Sequence, residues 1–313
     1  MKKLKLAEAQ SVGIVVTHNP SRAFENTLNT LAPQVSKVVI IDNGSNSQSL
    51  EYVRTAALRH RSEVIANPEN RGIATALNQG LDWALRQGRT WALLVDQDTL
   101  LHNGAVASLE AIYESHPERD ALAITGANFV DPSTGEAVLE PPTRPSQDWF
   151  SSIATITSGS LLSLSAYRKI GPFRDDFFID HVDTEYCLRA KTRGFIIAVS
   201  AAPLMVHSIG IGSVITLFGE KTWTSNHSPT RRYYVARNCI VLAKEYWRSD
   251  FWYVAYLLRQ LLKSMVLVAF FENQKGSKLL HSLIGLFDGL RGRLGPYGRT
   301  NPARTNAGID GKD

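Results

Sequence analysis

The amino-acid sequence predicts an α/β protein: a Rossmann-like domain on a mostly parallel central sheet, followed by a C-terminal helical extension. Three observations carry this expectation. Short apolar runs alternate with amphipathic helical patterns over residues 12–98, as they do where parallel strands are covered by helices on both faces. Polar clusters stand just after three of those runs, at His18, Asp42 and Asp96, the sheet edge where such folds bind ligands. Beyond residue 228 the short runs give way to long helical stretches in which Trp, Phe, Tyr and Leu accompany basic residues.

Each element follows from local pattern. Residues 12–17 are a nearly continuous apolar run broken by His18, Asn19 and Pro20, and 22–31 has the spacing of an amphipathic helix. The pair repeats: the β-branched run 37–41 ends in Asp42-Asn43-Gly44-Ser45, and 48–60 reads as a helix. A third strand is expected at 63–66, a third helix at 72–87, and a fourth strand at 91–95 that stops at Asp96-Gln97-Asp98. After a helix at 103–115 the alternation fades, and 121–143 suggests a strand and hairpin with a Pro-rich connection. Residues 153–164 contain Thr157-Ser158-Gly159-Ser160. A helix is expected at 182–193, then strands at 195–199 and 204–206, the last ended by His207 before a flexible stretch at 208–213. Helices follow at 229–246, 251–271 and 278–290, and the Gly, Pro, Arg and Asn content from Gly292 implies disorder. The expected limits are a main domain at 1–228, a membrane-associating helical extension at 229–291 and a disordered tail at 292–313.

With 313 residues and 44% apolar side chains, the chain can bury a substantial core. Cys187 and Cys239 lie in apolar helical patterns without Cys-x-x-Cys spacing, so neither a disulfide framework nor a zinc knuckle is indicated and a reducing cytoplasm fits. The first ten residues carry Lys2, Lys3 and Lys5 but no apolar core, which argues against a secretory signal. The net charge of +5 is uneven: 19 basic and 23 acidic side chains over 1–220, against 15 and 6 over 221–313. Because aromatic residues and leucines accompany these C-terminal cations in long helices, an anionic membrane surface is the expected partner and nucleic acid is not.

Several constellations carry chemistry. Asp96 and Asp98 are one residue apart at a strand end and project in the same direction, an arrangement that binds a divalent cation; an acidic turn capping the next helix is the alternative. Asp42 can accept hydrogen bonds from ribose or a base, although Asp-Asn-Gly-Ser is also a good turn. Asn70, Arg71 and Gly72, followed by Asn78 and Gly80, place a cation and small residues at a helix N-terminus suited to phosphate, or simply a cap. No Gly-x-Gly-x-x-Gly follows any strand, which argues against a dinucleotide dehydrogenase. Asp180, Asp183 and Glu185 crowd three carboxylates into six residues, which calls for a cation, Arg189, a reaction or a capping role. His207 is a second candidate metal ligand or a solvated loop histidine. Arg231 and Arg237 on one helix could hold a diphosphate or lipid phosphates, or form a solvated basic face. The helix at 251–271 is long enough to span a bilayer, but Arg259, Gln260 and Lys263 in its middle make an interfacial position cheaper. A soluble core helix or a homodimer through the C-terminal helices remains the alternative.

Taken in order, Val15-Val16-Thr17-His18-Asn19, Ile41-Asp42-Asn43-Gly44-Ser45, Asn70-Arg71-Gly72-Ile73-Ala74, Asp96-Gln97-Asp98 and Phe178-Ile179-Asp180-His181-Val182-Asp183-Thr184-Glu185-Tyr186-Cys187 resemble family 2 glycosyltransferases of the GT-A fold. The resemblance runs from about residue 12 to about 238. The last motif, Asp-x-Val-Asp-x-Glu, looks most like the rhamnosyltransferase branch that builds bacterial surface polysaccharides such as O-antigen. The resemblance implies an inverting transfer from a nucleotide-sugar donor, dTDP-L-rhamnose first among candidates and a UDP-hexose or UDP-galactofuranose second, to a lipid-linked glycan acceptor. A non-catalytic nucleotide-binding membrane scaffold is the rival of another class. It implies that Thr17, His18, Asn19, Asp42, Asn43, Asn70, Arg71, Gly72, Asn78, Asp96 and Gln97 contact the nucleotide sugar, and that Asp98 and His207 hold Mg²⁺ or Mn²⁺. Asp183 stands at the catalytic base, with Val182 where the family more usually has a second acid. Ser158, Gly159, Asp180, Glu185, Arg231 and Arg237 are the acceptor or phosphate candidates. The cysteine content, the N-terminal residues and the basic, aromatic C-terminal helices together lead to the expectation of a cytoplasmic enzyme attached peripherally to the cytoplasmic face of the inner membrane.

Overall fold

The computed structural model describes residues 11–132, 135–139, 147–208, 213–217 and 220–298. The expectations for the N-terminal ten residues, for the Pro-rich connection at 140–143, for the loop at 209–212 and for the tail from 299 lie outside them. The chain divides into two compact units, Met1–Phe173 with Tyr186–Ser208, and Arg174–Glu185 with Ile209–Asp313.

The first unit is built on a nine-stranded sheet. β1 (Ser11–Thr17), β2 (Lys37–Asp42), β3 (Glu63–Ala66) and β4 (Trp91–Asp96) are its parallel half, in the order β3-β2-β1-β4. β1 is buried along its whole length, which is why its sequence shows no polar alternation. Helices α1 (Phe24–Leu31), α2 (Ser47–Arg59), α3 (Ile73–Arg86) and α4 (Ala105–Ser115) alternate with these strands. The short β5 (Leu100–Leu101) follows β4 and pairs with the late strand β9 (Ile196–Val206).

Beyond β4 the sheet changes direction. β6 (Leu122–Val130), β7 (Trp149–Ser151) and β8 (Ser160–Ser163) extend it, and β8 runs antiparallel between β4 and β6. The turn into β8 passes through Gly159 at φ +76°, where a Cβ would come within 2.5 Å of Met205 Sδ, so both the backbone conformation and the space select glycine. α5 (Leu164–Ile170) follows, with Ser163 capping it by accepting from Ala166 N. β9 is one strand of eleven residues where the sequence suggests two. Its weakly apolar middle is held instead by Asn128, whose amide Nδ2 donates to the carbonyls of Ala201 and Leu139 while its backbone N–H donates to Ser200 Oγ.

α6 (Val182–Thr192) begins in the second unit and ends in the first. The second unit also contains the antiparallel hairpin of β10 (Ser213–Leu217) and β11 (Glu220–Thr224), and the helices α7 (Pro229–Tyr246), α8 (Phe251–Phe271) and α9 (Lys275–Leu290). Ser228 caps α7 with Pro229 in its first turn, a pairing that removes two of the N–H groups a helix start leaves open. Arg232 and Lys278 both pair with the buried Glu272 between α8 and α9. Residues 292–298, expected to be disordered, are ordered against α7: Tyr297 N donates to Tyr234 Oη at 2.7 Å and Gly295 O accepts from Arg237. α8 is the one helix among the described residues long and apolar enough to cross a membrane.

Candidate active site

In the first unit the ends of β1, β2, β4 and β9 supply the expected residues. Asp42 closes β2, is fully buried and accepts from Thr17 Oγ1 at 3.1 Å, Ser45 Oγ at 2.6 Å and Ser45 N at 3.0 Å. Asn43 reaches the next loop. Its Oδ1 accepts from Arg71 N and its Nδ2 donates to Asn70 Oδ1 and the Gly72 carbonyl. Gly72 N donates in turn to Asn70 Oδ1 at 2.9 Å. His18 N donates to Gln97 Oε1 at 2.8 Å, which ties the end of β1 to the turn after β4, and Asn19 N donates to Ser45 Oγ. Thr17, His18, Asn19, Asp42, Asn43, Asn70, Arg71, Gly72 and Gln97 thus form one hydrogen-bonded rim, which Asp96 adjoins at the end of β4. Asn78 stands apart from it. Its amide donates to the Phe173 carbonyl and accepts from Phe173 N, both at 2.8 Å, and Tyr167 Oη also donates to it. That tether, made from the middle of α3, occupies the groups that were expected to reach a nucleotide.

Asp96, Asp98 and His207 each present one ligand atom, and the three atoms lie within 4.8 Å of one another. His207 Nε2 is 3.7 Å from Asp96 Oδ2, and its Nδ1 is 3.5 Å from Asp98 Oδ1. Burial pulls the imidazole pKa down, but the hydrogen bond to Asp98 and the charges of Asp96, Asp98 and Asp131 outweigh it and hold it above its ordinary value. The site is therefore a focus of negative potential. Two carboxylates and an imidazole at this spacing can hold a divalent metal ion.

The support behind these ligands was not legible in the sequence. Thr99 Oγ1 lies 2.8 Å from His207 Nδ1 and 2.7 Å from Ser158 Oγ, and Ser158 Oγ accepts from Asp96 N. Contact with Nδ1 leaves Nε2 as the ring nitrogen facing Asp96, and so orients the ligand from behind. Ser158 and Gly159, expected on the acceptor or phosphate side, are brought here instead: Ser158 braces the end of β4, and Gly159 N donates to the Leu94 carbonyl. Thr99 follows an acidic turn like many capping residues, and its partners are 59 and 108 residues away, so no local signal marks it.

In the second unit, Asp183 lies in the first turn of α6 and accepts from Thr184 N at 2.7 Å. Burial is the main reason its pKa is raised; the Asp180 charge adds to this, while Thr184 and His181 act against it. The same burial pushes the His181 pKa down, against the charges of Asp180 and Asp183. The approach to α6 is strained, since Phe178, Asp180 and His181 all have positive φ, at 64°, 62° and 59°. α7 fixes it. Asn238 Nδ2 donates to the carbonyls of Phe177, Ile179 and Asp180, and Arg237 donates to those of Asp176 and Phe177. Arg231 grips the Asp180 carboxylate with Nε and a terminal nitrogen at 3.1–3.2 Å, and Glu185 accepts from Tyr246 Oη at 3.1 Å. Arg237 is fully buried with its donors on carbonyl oxygens and Asn238, so it serves the loop where a phosphate contact was expected.

Comparison with known proteins agrees with this geometry. The sequence profile described as Glycosyl transferase family 2 matches residues 13–170. The dTDP-rhamnosyl transferase RfbF of Shigella flexneri is 29% identical over 297 residues, 90% of this chain and 96% of that protein. Among solved structures, S. aureus TarS 1–349 aligns with a TM-score of 0.56 at 14% identity, over 91% of this chain and 82% of that one. The mannosyltransferase PcManGT of Pyrobaculum calidifontis, solved with GDP-Man and Mn²⁺, aligns with a TM-score of 0.53 at 14% identity, over 90% and 87%. These structural likenesses establish the GT-A-like fold, and with half of the chain under the family profile the chain belongs to glycosyl transferase family 2, as a sugar-transferring enzyme similar to rhamnosyltransferases.

Proposed function

We propose that this enzyme transfers L-rhamnose from dTDP-L-rhamnose to a hydroxyl of a lipid-linked glycan, with inversion at the anomeric carbon, at the cytoplasmic face of the inner membrane. The observation that carries the donor is the likeness to the Shigella rhamnosyl transferase over nearly its whole length. In this reading Thr17 and Asp42 bind the nucleoside, Asn43 shapes the loop that presents Arg71 to the diphosphate, and Asp96, Asp98 and His207 hold Mg²⁺ or Mn²⁺. When bound, the cation neutralises charge on the departing nucleoside diphosphate. Asp183 accepts the proton of the acceptor hydroxyl as that oxygen attacks the sugar, so the new C–O bond forms as the bond to the diphosphate breaks. A single displacement of this kind inverts the centre. The raised pKa of Asp183 makes it a stronger proton acceptor than an ordinary carboxylate.

A panel of dTDP-rhamnose, UDP-N-acetylglucosamine, UDP-galactofuranose and GDP-mannose, offered with a lipid-linked acceptor pool and read by mass spectrometry, tests this. The expected product gains one deoxyhexose from dTDP-rhamnose alone. Transfer from another donor, with none from dTDP-rhamnose, overturns the donor assignment and leaves the family membership intact.

A further inference from the structure

α9 is inside out. Its polar side chains Lys278, His281, Ser282 and Asp288 are buried, while Leu280, Leu283, Phe287 and Leu290 on the opposite side are 45–61% exposed. A helix that meets water shows the reverse arrangement. The rotation is fixed by close packing on α7: a Cβ at Gly285 would collide with the Tyr233 carbonyl oxygen, and one at Gly289 would lie 2.7 Å from that of Arg237. Lys278 pairs with Glu272, and Asp288 accepts from Tyr233 Oη at 3.1 Å, so the inward polar groups are anchored. α9 therefore cannot turn its leucines inward without breaking these pairs and driving Cβ-bearing faces into α7.

The surroundings name the occupant of that face. Over residues 246–298 the three acids, Asp250, Glu272 and Asp288, are all buried. Six cations, Arg248, Arg259, Lys263, Lys275, Arg291 and Arg293, are exposed. An apolar strip on a segment that exposes cations and no acid over residues 246–298 fits anionic lipid, where the acyl boundary takes the leucines and the headgroups take the charges. A self-complementary dimer face would instead set these cations against their own copies. α8 adds exposed Trp252, Leu262 and Phe270, but Arg259 and Lys263 share its exposed side, which excludes deep burial of that side.

We infer that the outward face of α9 (Leu280, Leu283, Phe287 and Leu290) inserts into the interface of an anionic bilayer, with α8 lying along the headgroups beside it. This rests on the membrane-attached reading above and moves the inserting element from α8 to α9.

The test is co-sedimentation of the full chain with phosphatidylcholine vesicles, with and without about one third phosphatidylglycerol, beside assays of sugar transfer. Wild type is expected to bind the mixed vesicles and to lose affinity as salt rises. The double variant Leu283→Gln/Phe287→Gln changes only exposed side chains, and unchanged circular dichroism and unfolding temperature confirm that it folds. It is expected to bind at least about tenfold more weakly. Equal binding by the variant, or binding to neutral vesicles alone, overturns the proposal. So does a dimer in analytical ultracentrifugation that the same variant dissociates while wild type fails to bind vesicles. Vesicle binding without rhamnose transfer leaves this inference standing and refutes the donor assignment, whereas rhamnose transfer without vesicle binding does the opposite.

Discussion

Asp183 and Thr99 show how single side chains differ in what a sequence reveals. Asp183 is visible because it lies in a crowd of three carboxylates just before a helical pattern, a local feature that electrostatics makes costly. Replacement Asp183→Asn keeps the shape and removes the proposed base, so kcat is expected to fall about 10²–10⁴-fold while donor affinity, measured by calorimetry, stays within error; an undiminished kcat refutes the role. The pH profile follows from the same residue. Only the deprotonated carboxylate accepts a proton, and its folded-state pKa is raised chiefly by burial. Activity should therefore fall as pH drops through a limb lying above the ordinary carboxylate range, and Asp183→Glu should displace that limb. Thr99 is invisible locally because its two partners, in the turn before β8 and just after β9, are 59 and 108 residues away. Thr99→Val removes the group that orients His207, and the expected result is metal affinity weakened about tenfold or more, read by titration with Mn²⁺. Unchanged affinity would show that the ring is held by packing alone.

At the scale of elements, the parallel half of the sheet was legible because buried parallel strands are short unbroken apolar runs separated by helices, and β3 spans the residues expected of it. α7 and α8 also match their expected limits, since long helical patterns are the most strongly periodic signals in the chain. β8 was not legible as a central antiparallel strand. Its pairing of Ser160 with Leu94 and with Gly126 is set by tertiary packing, and four residues carry no direction. The basic start of α7 was legible as a cluster of cations but not as a clamp. Its meaning depends on three carbonyls that point at Asn238 only because the chain before α6 is left-handed at Phe178, Asp180 and His181. Asn238→Ala leaves those carbonyls short of donors. We expect a loss of about 1–3 kcal/mol in unfolding free energy, with kcat reduced more than donor affinity, because the loop carries the start of α6 and with it Asp183. If kcat is untouched while stability falls, Asn238 is a packing residue and does not position the base.

For the whole molecule, the division into two units sorts the charges by task. The first unit gathers Asp96, Asp98 and Asp131 around one imidazole, and that concentration of acid is costly unless a cation balances it. Within the second unit, residues 246–298 expose six cations and bury their three acids, a pattern suited to lipid headgroups. Composition revealed the asymmetry, since it needs only a count along the chain. It could not reveal which helix faces outward, because Gly285 and Gly289 set that by contact with α7. The acidic set makes a prediction that does not depend on knowing the sugar. A cation that binds the folded chain and not the unfolded one stabilises it by mass action, about 2.7 kcal/mol at a hundred times its Kd. Mn²⁺ alone should therefore raise the unfolding temperature by a few degrees, a shift of roughly the size that such a free energy gives in a chain of this length. Asp98→Asn and His207→Ala should each remove most of that shift, because either change breaks the ligand set while leaving the sheet core untouched. EDTA should abolish transfer, and added Mg²⁺ or Mn²⁺ should restore it. Full turnover in a metal-free preparation, with no thermal shift from Mn²⁺, would mean that the cluster serves the donor through hydrogen bonds alone.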